Sequence, residues 1–529
     1  MKRKTYGVFV LLMVLFCAAV GSILRVSGGA EYVAAAQKQS LYELKIGTAR
    51  GMIYDKDLNP LLEEQKRTVA AVAPTIEAIG ALEKATGGKY RERLKSALES
   101  GKPFLMELEE SISHPCIDLF SVSGRYRKDQ LAPHVIGYVD SLGAGVSGVE
   151  LAMNDVLEEY GGRASVYYQV DALGRVVAGG EREVVDTLSD LSGGVALTLD
   201  SELQREAEAA AKLLKKGAVV VTEAPNCEIR ALASVPTYSP ANLGNVTSQK
   251  DGPLVNRAFC AYAPGSVFKL VGTACALESG LETKQFTCTG SVNAGGLTFH
   301  CIDNTAHGPL NLRGALMQSC NCYFINCARS LGGQSMLSMA YNLGLGAQQE
   351  FGRGLFTAGG TLSDAETLEN MRALANFSFG QGETEVTPVQ LCGLLNAVVS
   401  NGVYSTPKLI AGTVGKELEL FPNQPVTEKS VQVMSESTAG TLQNYLESTV
   451  QEGTAKAGKP DGMTAGAKTG TAQTGVYEKG EELLHFWYCG YVKLDGGPTY
   501  CITVLAESTP NDHGAAAQVF RRVAESLSK

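Results

Sequence analysis

Residues 217–234 read GAVVVTEAPNCEIRALAS, and this stretch sets the architecture of the C-terminal part of the chain. Two runs of small and β-branched apolar residues flank a polar corner at Pro225 and Asn226. Runs of this kind, separated by turn formers, predict two strands joined by a tight turn. Just upstream, VALTLD (195–200) predicts a strand that ends in a helix cap, and a helix follows from Ser201 to Lys215. Three more strand-like segments come late: AGAKTGTAQT (465–474), HFWYCGYVKL (485–494) and PTYCITVLAE (498–507), with a closing helix from Ala515. Residues 240–460 between them read as mostly helices and loops. Two strands early and three late predict one mixed α/β domain whose first and last helices pack on the same sheet.

The chain of 529 residues is too long for one ordinary domain. Hydrophobic residues make up 44% and charged residues 19%, which excludes general disorder. The net charge is -9, and no basic run follows the first few residues, so no nucleic-acid partner is expected. The sequence divides into a cytoplasmic tip and anchor over 1–27, a non-catalytic pedestal over 28–190, and a catalytic-type domain over 191–529. In the pedestal, residues 28–63 form a juxtamembrane stretch that leads into RGMIYDKDLNPL (50–61), with Ile53 and Tyr54 as a short strand. Val69–Val72 is an apolar strand among charged helical stretches. A glycine-rich loop feeds an amphipathic helix from Gly148 to Tyr160. Nothing before residue 190 assembles a nucleophile, a base and oxyanion donors.

The N-terminus opens MKRKTY and continues with an uncharged apolar run from Gly7 to Leu24. As a helix this run spans roughly 27 Å, the depth of a bilayer's hydrocarbon core. It is read as an uncleaved signal anchor that crosses the lipid bilayer once through residues 7–24. Lys2, Arg3 and Lys4 stay on the cytoplasmic side, and the rest of the chain lies outside. A cleaved signal peptide would show an A-x-A-like site, and none stands out. A lipoprotein would need small residues before Cys17, where Phe16 stands.

Three motifs bear chemistry. Ser266 and Lys269 lie in APGSVFKL, where Pro264 and Gly265 make a turn and an apolar helix follows. Three residues apart, they share a helical face. A lysine in a desolvated pocket loses its proton readily and can serve as base to a serine hydroxyl. S-x-x-K also occurs at Ser405/Lys408 and Ser526/Lys529, but only Ser266 follows a turn and opens an apolar helix. Ser319 and Asn321 frame Cys320 between two helical stretches, and a hydroxyl and carboxamide there can relay a proton and hold an amide. Lys468, Thr469, Gly470 and Thr471 form the chain's single K-T-G, in a strand-like stretch. A lysine and a threonine hydroxyl can dock a carboxylate, and glycine permits close backbone approach. The plainer alternatives are an N-capping serine with a surface lysine, helix capping at Ser319 and Asn321, and a solvated strand bent at Gly470.

The order S-x-x-K, S-x-N, K-T-G resembles that of the penicillin-binding proteins, specifically the class B, monofunctional transpeptidase type. NRAFCAYAPGSVFK (256–269), FSFGQGETEVTPVQL (377–391), KTGTAQ (468–473), RGMIYD (50–55) and GVSGVE (145–150) resemble further segments of that family, so the likeness covers most of 50–529. It implies an α+β multidomain protein: a single transmembrane helix, a mostly β/α pedestal resembling a dimerisation domain, and a transpeptidase domain. That last domain would have a five-stranded sheet with helices on both faces plus a helical subdomain. The activity implied is D,D-transpeptidation of peptidoglycan stem peptides at a bacterial cell membrane. Ser266 would be the nucleophile and Lys269 its base. Ser319 and Asn321 would serve proton transfer and peptide positioning. Lys468 and Thr469 would hold the terminal carboxylate, Gly470 would let the strand approach, and the amides of Ser266 and Thr471 would form the oxyanion hole. β-Lactams should acylate Ser266, and a polytopic glycosyltransferase and other cell-wall synthesis proteins are the implied partners. No metal or organic cofactor is expected. The same residues suit a D,D-carboxypeptidase with water as acceptor, while a non-catalytic scaffold of a cell-wall complex is the rival of a different class. No glycosyltransferase-like domain fits within 28–190, which argues against a bifunctional protein. The short tail after the closing helix leaves no room for C-terminal β-lactam-sensing-like repeats, which argues against the sporulation subgroup that carries them.

Thirteen cysteines remain to be placed. Cys17 lies in the apolar N-terminal run, and for the other twelve, from Cys116 to Cys501, disulfides among some of them and free buried thiols are equal readings. Cys288, His300, Cys301 and His307 are zinc-ligand types, but their spacing matches no standard pattern. Cys320 and Cys322, flanking Asn321, read as small core residues, with a low-pKa, oxidisable thiol as the alternative.

Overall fold

In the strand Gly217–Glu223, side chains alternate between two apolar environments, so the sheet it belongs to is covered on both faces. Val219 and Val221 enter one cluster, Ala218 and Val220 another. This is the period-two signature of a strand buried on both sides. The computed structural model describes residues 2–28, 40–62, 66–188, 192–244, 246, 252–422 and 430–528. The expected juxtamembrane stretch lies partly outside them, over 29–39.

Five strands form the central sheet: β1 (Gly217–Glu223), β2 (Glu228–Val235), β3 (Thr464–Glu478), β4 (Glu481–Lys493) and β5 (Thr499–Thr509). Their order is β2-β1-β5-β4-β3, with every neighbouring pair antiparallel. The two early strands thus join the three late ones, and β3 with its K-T-G lies at one edge. The first helix, α1 (Ser201–Ala211), is capped by Asp200, whose carboxylate accepts from the amides of Glu202 and Leu203. Its Leu203, Ala207 and Ala210 meet Val519, Phe520 and Val523 of the closing helix (Ala515–Ser526) over one face of the sheet.

The opposite face carries the helical layer. Its members include α2 (Lys269–Glu278), α3 (Asn321–Leu331), α4 (Pro388–Val399) and α5 (Glu436–Gln451), and α6 is the closing helix already described. Leu391, Leu394, Phe324, Leu442 and Leu446 pack there with Trp487, Cys489, Cys501 and Leu505 of the sheet. The T-P-x-Q segment starts α4 with a capping box: Thr387 accepts from the Gln390 amide while the Gln390 side chain accepts from the Thr387 amide. The Gln390 carboxamide also donates to the carbonyls of Ala347 and Gly359, so this buried helix start leaves its polar groups paired. Residues 240–460 hold small hairpins among the helices, at Phe286–Cys288 with Gly308–Leu310 and at Ser291–Ala294 with Leu297–His300.

By packing, the chain divides into two units. One comprises Met1–Arg50, Glu64–Arg125 and Gly161–Leu191, and the other Gly51–Glu63, Tyr126–Tyr160 and Ser192–Lys529. In the first, Lys66–Val72 pairs between Phe104–Leu108 and Ile117–Ser123. Helices Ile76–Ala85 and Arg91–Ser100 cover one face of that sheet through Ala78, Leu82 and Leu94. Ala71, Ala73 and Phe120 on the other face meet Leu44, Val166 and Tyr168 of a second sheet. In the second unit, Met52–Tyr54 runs parallel to Gly194–Leu197 in a four-stranded sheet. The helix expected over 148–160 is two short ones, Gly148–Ala152 and Asn154–Glu159, interrupted where Met153 takes a non-helical ψ of 25°. The N-terminal helix spans Lys2–Gly28, and its Thr5–Arg25 segment is long and apolar enough to cross a membrane.

Candidate active site

Pro264 and Gly265 turn the chain, a 3-10 segment spans Gly265–Phe268, and α2 begins at Lys269. Ser266 and Lys269 therefore share one face, as their spacing requires. The Lys269 ammonium position is fully buried and Ser266 is 9% exposed. Lys269 Nζ lies 3.1 Å from Ser266 Oγ, 2.6 Å from the Ser319 carbonyl, 3.1 Å from Ser319 Oγ and 2.7 Å from Asn321 Oδ1. The two shortest partners, a carbonyl and an amide oxygen, can only accept. A neutral amine would give both its N–H groups to them and turn its lone pair toward the serine hydroxyls.

Burial pushes the Lys269 amine down to about 7, opposed by the nearby sulfurs of Cys320, Cys301 and Cys322. Lys468 is likewise buried, and its Nζ donates to Ser319 Oγ at 3.0 Å and to the Thr469 carbonyl at 2.8 Å. Burial first, then the charge of Lys269, holds Lys468 well below the usual lysine range. The Ser319 hydroxyl therefore bridges the two lysines. It is placed there by a left-handed backbone, φ +54°, uncommon for a residue with a side chain. Asn321 opens α3 and donates from Nδ2 to the His300 carbonyl at 3.0 Å.

Strand β3 reaches the turn because glycines let it. A side chain at Gly470 would lie 2.7 Å from the Pro264 carbonyl and 2.9 Å from Val267 Cγ2. One at Gly265, whose φ is +53°, would lie 2.5 Å from the Thr471 carbonyl. Trp487 of β4 donates from its indole to the Ala263 carbonyl at 2.9 Å, fixing the approach to the turn. The F-S-F-G segment closes the other side: Gly265 N–H donates to Gly380 O at 3.0 Å, and Phe377 stacks edge-on to Phe268 at 4.8 Å. Ser266, Lys269, Ser319, Asn321 and Lys468 are thus brought into one hydrogen-bonded group, with Thr469, Gly470 and Thr471 on the strand beside it.

The cysteines are less simply placed. Cys320 is not only a core residue: with Cys288, Cys301 and His307 it forms a cluster whose ligand-type atoms all lie within 4.8 Å of one another. His300, one of the residue types noted in the sequence, is exposed and outside this group. All thirteen cysteines are free. Cys301 is the thiol held low, through its sulfur hydrogen bonds with Cys320 and then Cys322, which outweigh its burial.

The family model described as the penicillin-binding protein transpeptidase domain matches residues 217–525. The chain belongs to that family. Among curated proteins, stage V sporulation protein D of Bacillus subtilis is 30% identical over 400 residues, covering 71% of this chain. The match spans only 58% of the sporulation protein's own length. Penicillin-binding protein PbpB of Mycobacterium tuberculosis is 26% identical, covering 99% of this chain and 84% of its own. The relatives are class B proteins, as the motif order implied. In fold, the chain matches penicillin-binding protein 3 of Mycobacterium tuberculosis in its aztreonam complex, with a TM-score of 0.66, 23% identity, and coverage of 91% and 96%. It also matches a chain of a peptidoglycan synthase complex described for polymerization and crosslinking, with a TM-score of 0.69, 21% identity and 98% coverage of both chains.

Proposed function

We propose that this protein is a single-pass membrane D,D-transpeptidase that crosslinks peptidoglycan stem peptides through a Ser266 acyl-enzyme. The observation that carries this reading is the buried Lys269 amine, shared among Ser266, Ser319 and Asn321 with Lys468 on the far side of Ser319. In the first step Ser266 Oγ attacks the carbonyl carbon of the D-Ala–D-Ala amide while its proton passes to Lys269 Nζ. The amides of Ser266 and Thr471 receive the developing oxyanion. The C–N bond then breaks, and the departing D-alanine takes the proton back through the Ser319 hydroxyl. In the second step the amine of another stem peptide attacks the ester, forms the new amide and returns a proton to Ser266. Lys468 and Thr469 hold the substrate's terminal carboxylate. Arrival of that negative charge favours the ammonium form of Lys468 that burial disfavours. Asn321 positions the peptide, and Gly470 keeps β3 close enough to do so.

The N-terminal helix anchors the chain through residues 7–24, with the basic tip inside and the remainder extracytoplasmic. The relative in a peptidoglycan synthase complex supports a polytopic glycosyltransferase as partner, and the aztreonam-bound relative supports β-lactams as inhibitors.

The test uses the full-length protein in detergent with a fluorescent penicillin, comparing wild type with Ser266→Ala by gel and intact mass. Labelling of wild type alone, stable over hours, is the expected result. A label that quickly vanishes would move the reading to drug hydrolysis, and absence of labelling in folded wild type would leave the scaffold. A stem-peptide substrate with an added amine then separates crosslinking from hydrolysis, which would indicate a carboxypeptidase.

A further inference from the structure

We propose that Cys288, Cys301, His307 and Cys320 form a closed zinc site that clamps the Ser319–Asn321 turn to the hairpin beside it. Zinc bound tetrahedrally at about 2.3 Å from sulfur and about 2.0–2.1 Å from imidazole nitrogen requires S···S edges of about 3.8 Å and S···N edges of about 3.6 Å. Cys288 Sγ lies 3.7 Å from Cys301 Sγ, Cys301 Sγ lies 3.7 Å from Cys320 Sγ, and Cys288 Sγ lies 3.5 Å from His307 Nδ1. The remaining edges fall within 4.8 Å. Three cysteines and one histidine are the donor set of a structural zinc site with no open position.

The four ligands come from four local structures. Cys288 ends the strand Phe286–Cys288, which pairs with Gly308–Leu310, so His307 arrives beside it. The hairpin Ser291–Ala294 with Leu297–His300 brings Cys301 back, and its amide donates to the Gly290 carbonyl at 3.0 Å. Gly290 has φ +92°, and any side chain there would lie 2.4 Å from the Asn304 carbonyl. Cys320 is the N-cap of α3. Backbone donors support the sulfurs as thiolates: Gly290 N–H points at Cys288 Sγ and Tyr323 N–H at Cys320 Sγ, each at 3.4 Å. The start of a helix favours negative charge at Cys320 in addition.

A disulfide does not account for the cluster. Cys301 has three sulfur neighbours, Cys288, Cys320 and Cys322, at 3.5–3.7 Å, against about 2.05 Å for a bond. Cys322 Sγ lies 3.5 Å from Cys301 Sγ but is not among the four mutually close ligand atoms. On loading, the three thiols bind as thiolates and release their protons to solvent.

The consequence falls on the candidate active site. Cys320 lies between Ser319, which bridges the two lysines, and Asn321, which donates to the carbonyl of His300 next to Cys301. A metal held by Cys301 and Cys320 would therefore fix the strained Ser319 conformation from below, as a positioning element rather than a reactant. Metal binding stands independently of the transpeptidase reading, and only its effect on acylation rests on that reading.

The test begins with metal content. Full-length protein purified in reducing buffer without added metal should contain one equivalent of zinc by elemental mass spectrometry. X-ray absorption should show three sulfur ligands and one nitrogen. Cys301→Ser and His307→Ala should each lose the zinc, while Cys322→Ser keeps it. If those variants misfold, wild type stripped by chelator and titrated with cobalt(II) should develop the thiolate charge-transfer bands of a tetrahedral site. Wild type that holds no zinc and yields no cobalt spectrum overturns the proposal, as does a disulfide between any two of the ligands. Loss of zinc in Cys322→Ser with retention in Cys320→Ser overturns the ligand assignment. Stripped protein that keeps its circular dichroism should acylate with penicillin at least tenfold more slowly. Unchanged acylation overturns the clamp, while the zinc result then stands on its own.

Discussion

Acylation of Ser266 should track the free amine of Lys269, and pH is the perturbation that reads it. Below the lysine's pKa the ammonium has no lone pair, so the rate should fall tenfold for each pH unit removed. With the amine pushed down to about 7 by burial, its free fraction is about 1% at about pH 5 and about 90% at about pH 8. The acylation rate should therefore rise about 90-fold between those values and then level off. An ordinary exposed lysine would instead give a rise of about 1000-fold over the same range with no plateau. Because both lysines touch the Ser319 hydroxyl, the midpoint belongs to the pair rather than to Lys269 alone. Single-turnover stopped-flow with a chromogenic cephalosporin measures the rate. Lys269→Arg supplies the control, since a guanidinium stays charged and should cost about 10²–10⁴ in rate while erasing the acid limb. A flat profile from pH 5 to 8, or one still climbing tenfold per unit at pH 9, would refute burial as what keeps the amine in its free-base form.

Two further outcomes follow from close packing and buried charge. Gly265→Ala combines a left-handed φ, worth about 1–2 kcal/mol of strain, with a methyl 2.5 Å from the Thr471 carbonyl. β3 must retreat, so penicillin labelling should slow at least tenfold while circular dichroism is unchanged, and undiminished labelling would mean the strand edge does not shape the site. Glu507 accepts from the buried Arg257 at 2.5 Å and pairs with Lys216 at 3.0 Å. Glu507→Ala leaves Arg257 buried without its carboxylate and should cost about 3–5 kcal/mol, read as a lower thermal midpoint, whereas a melt within a degree of wild type would show the pair contributes nothing.

The local parts of the site were legible in the sequence because their geometry is local. Ser266 and Lys269 lie one helical turn apart after a Pro-Gly corner, and any helix starting there must bring them together. The strands were legible for a similar reason, since GAVVVTEA and PTYCITVLAE carry apolar residues on both faces and read as buried strands wherever they pair. The distances between motifs were not legible, because they depend on β3 reaching the turn across the missing side chains of Gly265 and Gly470. The cysteine cluster was the least legible part. Its ligand-type atoms come from a strand end, a hairpin end, a loop and a helix cap, with 12, 5 and 12 residues between them, so no close C-x2–4-C pair marks them. The break at Met153 was also hidden, since the apolar periodicity of 148–160 continues across it.

The division of the chain into packing units has a consequence for anyone who wishes to cut or graft it. Ile53, Leu61, Val135, Ile136, Val149 and Leu157, from before residue 160, share one cluster with Val195, Leu197, Val220 and Val389. A fragment beginning at Ser192 would lose the strand Met52–Tyr54 and leave that cluster open to water. In the gene, the unit that carries the transpeptidase domain is thus encoded in three separate blocks that must travel together. Recombination at a single breakpoint near codon 191 should yield insoluble chimaeras, and hybrids that keep residues 51–63 and 126–160 with their native partner should survive.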